Sequence, residues 1–316
     1  MMTQEEPDYK SLLSSFSFFQ SAYILAPHTY YKIGGPADFA LIPQNETELK
    51  QSYQILQQIS LPYFILGGGT NVLISDKGFR GVVLITSHHK EFKSLGNDRY
   101  FISGGVELDW VVREVLLKNN YEGVGALTGI PGTIGGALFM NAGTVNGSIC
   151  DWAEKVFLFS RDGEKEIEIK PELYGYRLQK FCSMYELIYG AIFHFRKSDK
   201  NQLSVYEHYI NRRKEKQPQG YCCGSVFKNP AGYHAGKLIE ECGLKGIRKG
   251  GAVISPIHAN FIINENNATF DDVLFLIQLI REKVYEKFNI KLEEEVHILF
   301  EDGCLQSCKH TKSQEG

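Results

Sequence analysis

The chain is predicted to be an α+β protein from three features. Short strand-like apolar runs alternate with amphipathic helical stretches through its first two thirds. Two glycine-rich loops, at 67–69 and within 129–143, lie among those runs. A self-contained helix–strand–helix unit follows residue 220. At 316 residues there is room for two or three domains and a sizeable core. Hydrophobic residues at 43% and charged residues at 22% are ordinary for a globular protein in water. A net charge of -3 excludes a nucleic-acid-wide basic surface and a polyanionic tail, so an anionic ligand must be met locally.

Residues 1–20 read as a loosely ordered arm. The start, MMTQEEPDYK, is acidic where a signal peptide would be basic. Polar residues interrupt the apolar segment 11–26, and no run of about 18 apolar residues occurs, so no membrane span is predicted. From about 30 to 85 the pattern is strand, helix, strand, glycine loop and return strand. Its helix, 46–58, carries Leu49, Tyr53 and Leu56 on one face. A second block opens at 101-FISGG-105 and runs into a helix over 106–120, striped by Leu108, Val111, Val112, Val115 and Leu116. Strand-like runs at 156–160 and 187–195 close it. The polar, basic stretch 211-NRRKEKQPQG-220 reads as a linker. Beyond it come a helix at 236–243 ending on Gly243, a strand at 260–264, and a helix at 269–288 opened by a Thr269/Asp272 capping box.

The seven cysteines are an odd number without paired C-x-x-C spacing, and Cys304 with Cys308 is a lone C-x-x-x-C. Free thiols in a reducing cytoplasm are the expectation. No H-E-x-x-H or clustered His/Cys/Asp set supports a metal.

Three adjacent glycines are costly unless a backbone position demands them. The stretch 67-GGGTN-71 follows a strand, where successive N–H groups form a concave anion nest. A tight strand-to-strand turn explains the stretch equally well. The Rossmann pattern fails because Val72 stands where its third glycine belongs, and no G-K-[ST] is present. The second cluster, 129-GIPGTIGGALFMNAG-143, favours a ligand pressed against bare main chain, with crowded strand–helix packing as the alternative. Among acid–base candidates, Ser225 lies outside any nucleophile elbow and by itself reads as structural. Arg177, flanked by aromatics, is equally well a buried ion pair, and Glu295 by itself reads as an acidic surface turn.

The stretches 28-HTYYKIGGPAD-38, 66-LGGGTNVLISDKGFRG-81, 129-GIPGTIGGALFMNAG-143, 224-GSVFKNP-230, 236-GKLIEECGLKGIRKGGA-252, 258-HANFIIN-264 and 292-LEEEV-296 together resemble the UDP-N-acetylenolpyruvoylglucosamine reductase (MurB) family, in its order and across roughly residues 28–300. The resemblance implies the two-subdomain FAD-binding fold of the vanillyl-alcohol-oxidase (PCMH) type plus a C-terminal α+β substrate domain. The subdomains would span 21–85 and 86–205, the substrate domain 206–300, and a tail 301–316. It implies non-covalent FAD held by Tyr31, Ile33, Gly34, Gly67, Gly68, Gly69, Thr70, Asn71 and Val72 from the first region. Gly129, Pro131, Gly132, Gly135, Gly136, Asn141 and Gly143 would hold it from the second. NADPH is the implied hydride donor. UDP-N-acetylglucosamine enolpyruvate is the implied substrate, reduced to UDP-N-acetylmuramate for peptidoglycan, and hence for cell-wall growth, shape and division. Arg177, Ser225 and Glu295 fall on catalytic positions, and Arg213, Lys216 and Asn229 on substrate positions. A cytoplasmic monomer without metal, nucleic acid or membrane insertion is expected.

In the implied reaction, hydride from the reduced flavin adds to the enolpyruvyl β-carbon. Arg177 meets the negative charge developing on the α-carbon and its carboxylate, Ser225 supplies the final proton, and Glu295 orients or polarises the enol with Arg177. Two local departures stand out: Gln179 where the family often has serine, and 141-NAGTVNG-147 where A-Y-G usually continues the motif. The short interval between Arg177 and Ser225 matches the short, type II branch. Two other classes fit the same cofactor signals: a different FAD oxidase or dehydrogenase on this fold, and a catalytically dead flavin- or nucleotide-binding protein.

Overall fold

The structure is a computed structural model that describes residues 8–303. The acidic start of the chain and the Cys304/Cys308 pair lie outside the described residues. Strand Pro36–Leu41, helix Glu46–Gln58 and strand Tyr63–Leu66 form a crossover, with both strands parallel to Phe79–Ile85 between them. The helix starts where Asn45 accepts the Glu48 amide at 2.9 Å, and it buries Leu49, Tyr53 and Leu56. Phe79–Ile85 is buried at every position except Arg80, as expected of a parallel strand covered on both faces.

From residue 8 onward, the N-terminal arm is more ordered than its composition suggests. Asp8 caps a short helix, Tyr9–Leu13, whose Leu13 is fully buried in the cluster containing Leu41, Leu49 and Leu56. Strand Phe19–Ile24 then adds antiparallel to Pro36–Leu41. One apolar anchor and one hydrogen-bond ladder hold the segment, and neither requires a long hydrophobic run.

The second block is a five-stranded antiparallel sheet in the order Gly163–Glu168, Ala153–Ser160, Leu187–His194, Arg99–Ser103, Phe92–Gly96. The helical stretch predicted at 106–120 forms as Leu108–Val111 continued by a wider-turned segment, Val112–Leu117. Its apolar stripe shares one core with Ile102, Val156, Ala191 and Phe193 of the sheet.

The presumed linker at 211–220 is largely helix. Residues 211–216 end helix Gln202–Lys216, capped by Asn201 and closed by Arg213, Lys214 and Lys216 in its last turn, where cations offset the helix dipole. It reads as a linker because Gln202 is its one buried residue. The C-terminal unit packs helices Ala235–Glu241 and Phe270–Phe288 with the strands Arg248–Lys249, Ala252–Ile254 and Ile262–Asn264. Both halves of the Thr269/Asp272 capping box are formed.

The strand after the first glycine loop, Val72–Ile74, is no return strand of a hairpin. It pairs parallel with His297–Leu299 from the far end of the chain. That pairing ties the C-terminal unit to the first sheet and positions the site.

Candidate active site

A cavity of about 660 Å³ opens where the two glycine loops meet the C-terminal unit. The loops touch each other through bare backbone. A Cβ built on Gly68 would lie 2.9 Å from the Gly132 Cα. Gly69 has φ +63°, and a Cβ there would meet the His28 carbonyl oxygen at 1.9 Å. Among the described residues, the amides from Gly67 through Asn71 donate to no protein acceptor. A run of unpaired main-chain N–H groups on a cavity wall is a cradle for an anion. The first glycine stretch therefore serves both alternatives raised by the sequence: close packing of two loops and a nest of free donors.

The C-terminal segments supply the chemistry. Residues 226–228 run beside 293–295, with Lys228 N–H donating to the Glu293 carbonyl at 2.9 Å and Glu295 N–H to the Val226 carbonyl at 2.7 Å. Asn260 fixes this pairing by accepting from the Phe227 amide at 3.0 Å and donating to its carbonyl at 2.8 Å. Ser225 and Glu295 thus come to one wall. The Ser225 hydroxyl has no protein partner among the described residues. Asn71 joins the glycine loop to the same strand, its side chain donating to the Glu295 carbonyl at 2.8 Å and its own carbonyl accepting from His297 N–H at 3.0 Å.

Arg177 reaches the wall from the tip of a small hairpin, Tyr174–Gly175 with Leu178–Gln179. Its Nε donates to Glu295 Oε1 at 2.5 Å and its Nη2 to the Gly143 carbonyl at 3.1 Å. Nη1 has no protein partner among the described residues. Burial pushes the Glu295 carboxyl above its ordinary value, although the Arg177 guanidinium pulls the other way. Arg213 also lines the cavity; burial, and then Arg177 nearby, lower its pKa. Arg213 donates to the Gln217 side chain at 3.0 Å and bonds no carboxylate, while Glu186, which also lines the cavity, is paired with Lys165. His297, two residues past Glu295, shares its wall. Burial, with the Lys228 ammonium, holds its imidazole down at about 4, so it is neutral near pH 7. Its Nε2 lies 3.1 Å from Met140 Sδ.

Of the residues singled out in the sequence, Gly67 through Val72, Gly129, Pro131, Gly132, Gly135, Gly136, Gly143, Arg177, Arg213, Ser225 and Glu295 line this cavity. Tyr31 and Ile33 do not: both are buried in the C-terminal core, and the neighbouring Tyr30 faces the cavity instead. Gly34 packs against Leu25 and Ile74. Asn141 is buried behind the wall, Lys216 is exposed outside it, and the exposed Asn229 accepts from the Ala235 amide at 3.0 Å. Sequence reasoning passed over Tyr30, Met140 and His297. For His297 a signal existed, since positions 295 and 297 of an extended run share a face.

Fold and cavity define an FAD-binding α+β protein. Residues 37–166 match the FAD binding domain model, and residues 216–299 match the model of the UDP-N-acetylenolpyruvoylglucosamine reductase C-terminal domain. Curated relatives carrying that reductase name include one from Alkaliphilus oremlandii, 38% identical over 87% of this chain and 91% of the relative. Another, from Caldanaerobacter subterraneus subsp. tengcongensis, is 40% identical over 87% and 91%. The crystal structure of the Thermus caldophilus reductase superposes with a TM-score of 0.74 at 31% identity, covering 87% of this chain and 97% of that one. The chain belongs to the UDP-N-acetylenolpyruvoylglucosamine reductase family. Its α+β class, with an FAD-binding region ahead of a separate C-terminal unit, is the one expected from the sequence. The free amides between bare glycines fit the pyrophosphate of FAD.

Proposed function

We propose that the protein uses FAD and NADPH to reduce UDP-N-acetylglucosamine enolpyruvate to UDP-N-acetylmuramate. The observation that carries this reading is the convergence of Arg177, Ser225 and Glu295 on the cavity that the glycine loops line. FAD, when bound, would supply the hydride-transfer chemistry between NADPH and the enolpyruvyl β-carbon. The residues of the chain account for the rest. The amides from Gly67 through Asn71 hold the pyrophosphate. Arg177, fixed by Glu295 and the Gly143 carbonyl, offers its remaining N–H groups to the carboxylate and α-carbon as charge develops there. Ser225, with a hydroxyl free of protein partners, delivers the proton to the α-carbon. Glu295 orients Arg177 by accepting from its Nε, and the pair together polarises the enol. Arg213 meets the phosphates of the substrate. An Arg213 guanidinium with no carboxylate partner and the unpartnered Nη1 of Arg177 suit a ligand bearing a carboxylate and a diphosphate better than the neutral substrates of many flavin oxidases.

The five free cysteines among the described residues fit a reducing cytoplasm. No helix among those residues is long and apolar enough to cross a membrane. The test is spectroscopic. Purified protein should show flavin absorption bleached by NADPH, and denaturation followed by filtration should release FAD into the filtrate. Colourless protein that takes up no added FAD would overturn the reading.

A further inference from the structure

We infer that Asn141 is a positioning residue that sets Arg177 through the N-terminal leg of its hairpin, an inference that rests on the catalytic reading of Arg177. The hairpin consists of two residue pairs, Tyr174 with Gln179 and Gly175 with Leu178, with Tyr176 and Arg177 at its tip. So short a hairpin does not hold its shape alone, and outside contacts must fix it. Arg177 is itself left-handed, at φ +51°, a conformation that glycine or asparagine ordinarily fills at that place in a turn. The backbone therefore needs bracing where the functional side chain leaves it.

Both legs of the hairpin are braced. On the C-terminal leg, Gln179 accepts from the Phe181 and Cys182 amides at 2.9 and 2.8 Å and donates to the Cys182 carbonyl at 2.6 Å. The serine often found at position 179 in the family is too short to span all three contacts. On the N-terminal leg, Asn141 Nδ2 donates to the Gly175 carbonyl at 2.7 Å, while its Oδ1 accepts from the Cys150 amide at 3.4 Å. Asn141 is 1% exposed, with φ +42°. Its amide is thus spent on two backbone partners. Two residues further on, the Gly143 carbonyl accepts from Arg177 Nη2 at 3.1 Å. The segment 141–143 therefore grips the hairpin twice, on its N-terminal leg beside the tip through Asn141 and at the guanidinium through Gly143. Losing the first grip lets the tip shift relative to the second, and Arg177 drifts from Glu295. The sequence placed Asn141 among the cofactor residues; the inferred role lies instead in the second half-reaction.

The test uses Asn141→Gly and Asn141→Asp in the FAD-loaded full chain. Glycine keeps the left-handed backbone and removes only the amide. Aspartate keeps the shape and the acceptor for Cys150 and, at a pH where it is ionised, cannot donate to Gly175. Both variants should retain FAD and be bleached by NADPH at the native rate. Both should then be reoxidised by UDP-N-acetylglucosamine enolpyruvate at least tenfold more slowly. In an Arg177→Ala background the same change should slow reoxidation less than twofold further, because two residues acting through one group are not additive. Equal slowing in both backgrounds, native reoxidation by either variant, or loss of FAD would overturn the inference. If Asn141→Gly fails to fold, Asn141→Asp decides alone. Native reoxidation by Arg177→Ala itself would instead refute the catalytic reading on which the inference rests.

Discussion

Replacing Gly68 by alanine tests the claim that two bare loops build the FAD cradle. The added Cβ would lie 2.9 Å from the Gly132 Cα and 3.4 Å from both the Gly132 carbonyl carbon and the Thr133 nitrogen. Ordinary carbon–carbon contact begins at roughly 3.5 Å, so the loops must part by about half an ångström or more. All three neighbours are main chain, and no side chain can rotate away. Inserting one carbon into such a contact costs about 1–3 kcal/mol. The displaced segments carry the unpaired amides, so most of this cost should fall on the FAD-bound form. At 1.4 kcal/mol per decade, FAD affinity should drop by about 5- to 150-fold. Apoprotein titrated with FAD by calorimetry or by flavin fluorescence measures the change. Gly68→Ala binding FAD within twofold of the native protein would show that the first loop does not set the cradle.

Other substitutions separate the remaining roles. Arg213→Ala should raise the substrate KM by about tenfold or more, the scale of one lost charge-assisted contact, whereas Lys216→Ala should raise it less because that side chain lies outside the cavity. Equal effects in steady-state kinetics would remove the distinction. Ser225→Ala should keep FAD and its reduction by NADPH but slow reoxidation by substrate roughly 10²–10⁴-fold, and native reoxidation would rule out Ser225 as the proton donor. His297 is held near 4 in the fold against about 6.5 unfolded, so acid favours the unfolded chain. That stability is complete above about pH 6.5 and is lost as the pH falls toward 4. Denaturation at pH 4.5 and 7 should show native apoprotein losing on the order of 2–3 kcal/mol more than His297→Gln. An identical loss in both would show that His297 is not buried as a neutral group.

The repeating patterns of the fold were readable directly from the chain. Helices 46–58 and 269–288 appear within a residue of their expected bounds, because apolar period and caps agree at both. Helix Gln202–Lys216 escaped because it buries almost nothing, so its sequence carries no stripe to read. Pairing of Val72–Ile74 with His297–Leu299 escaped for a different reason: strand period reveals a strand, never its partner. The site divides in the same way. The glycine stretches announce bare backbone, but the meeting of Arg177, Arg213 and Glu295 on one cavity exists only once the chain has folded. Tyr30 and Tyr31 are adjacent and of one type, and only the turn between them sends one to the cavity and the other to the core.

The central claim is that this cavity passes hydride to an enolpyruvyl ether rather than to dioxygen. Stopped-flow absorbance at the flavin band tests it most directly, with enzyme reduced by one equivalent of NADPH under strict anaerobiosis and then mixed with UDP-N-acetylglucosamine enolpyruvate. The account predicts full return of the oxidised flavin spectrum with stoichiometric UDP-N-acetylmuramate. Flavin that stays reduced with that substrate, yet reoxidises when air is admitted, would contradict it.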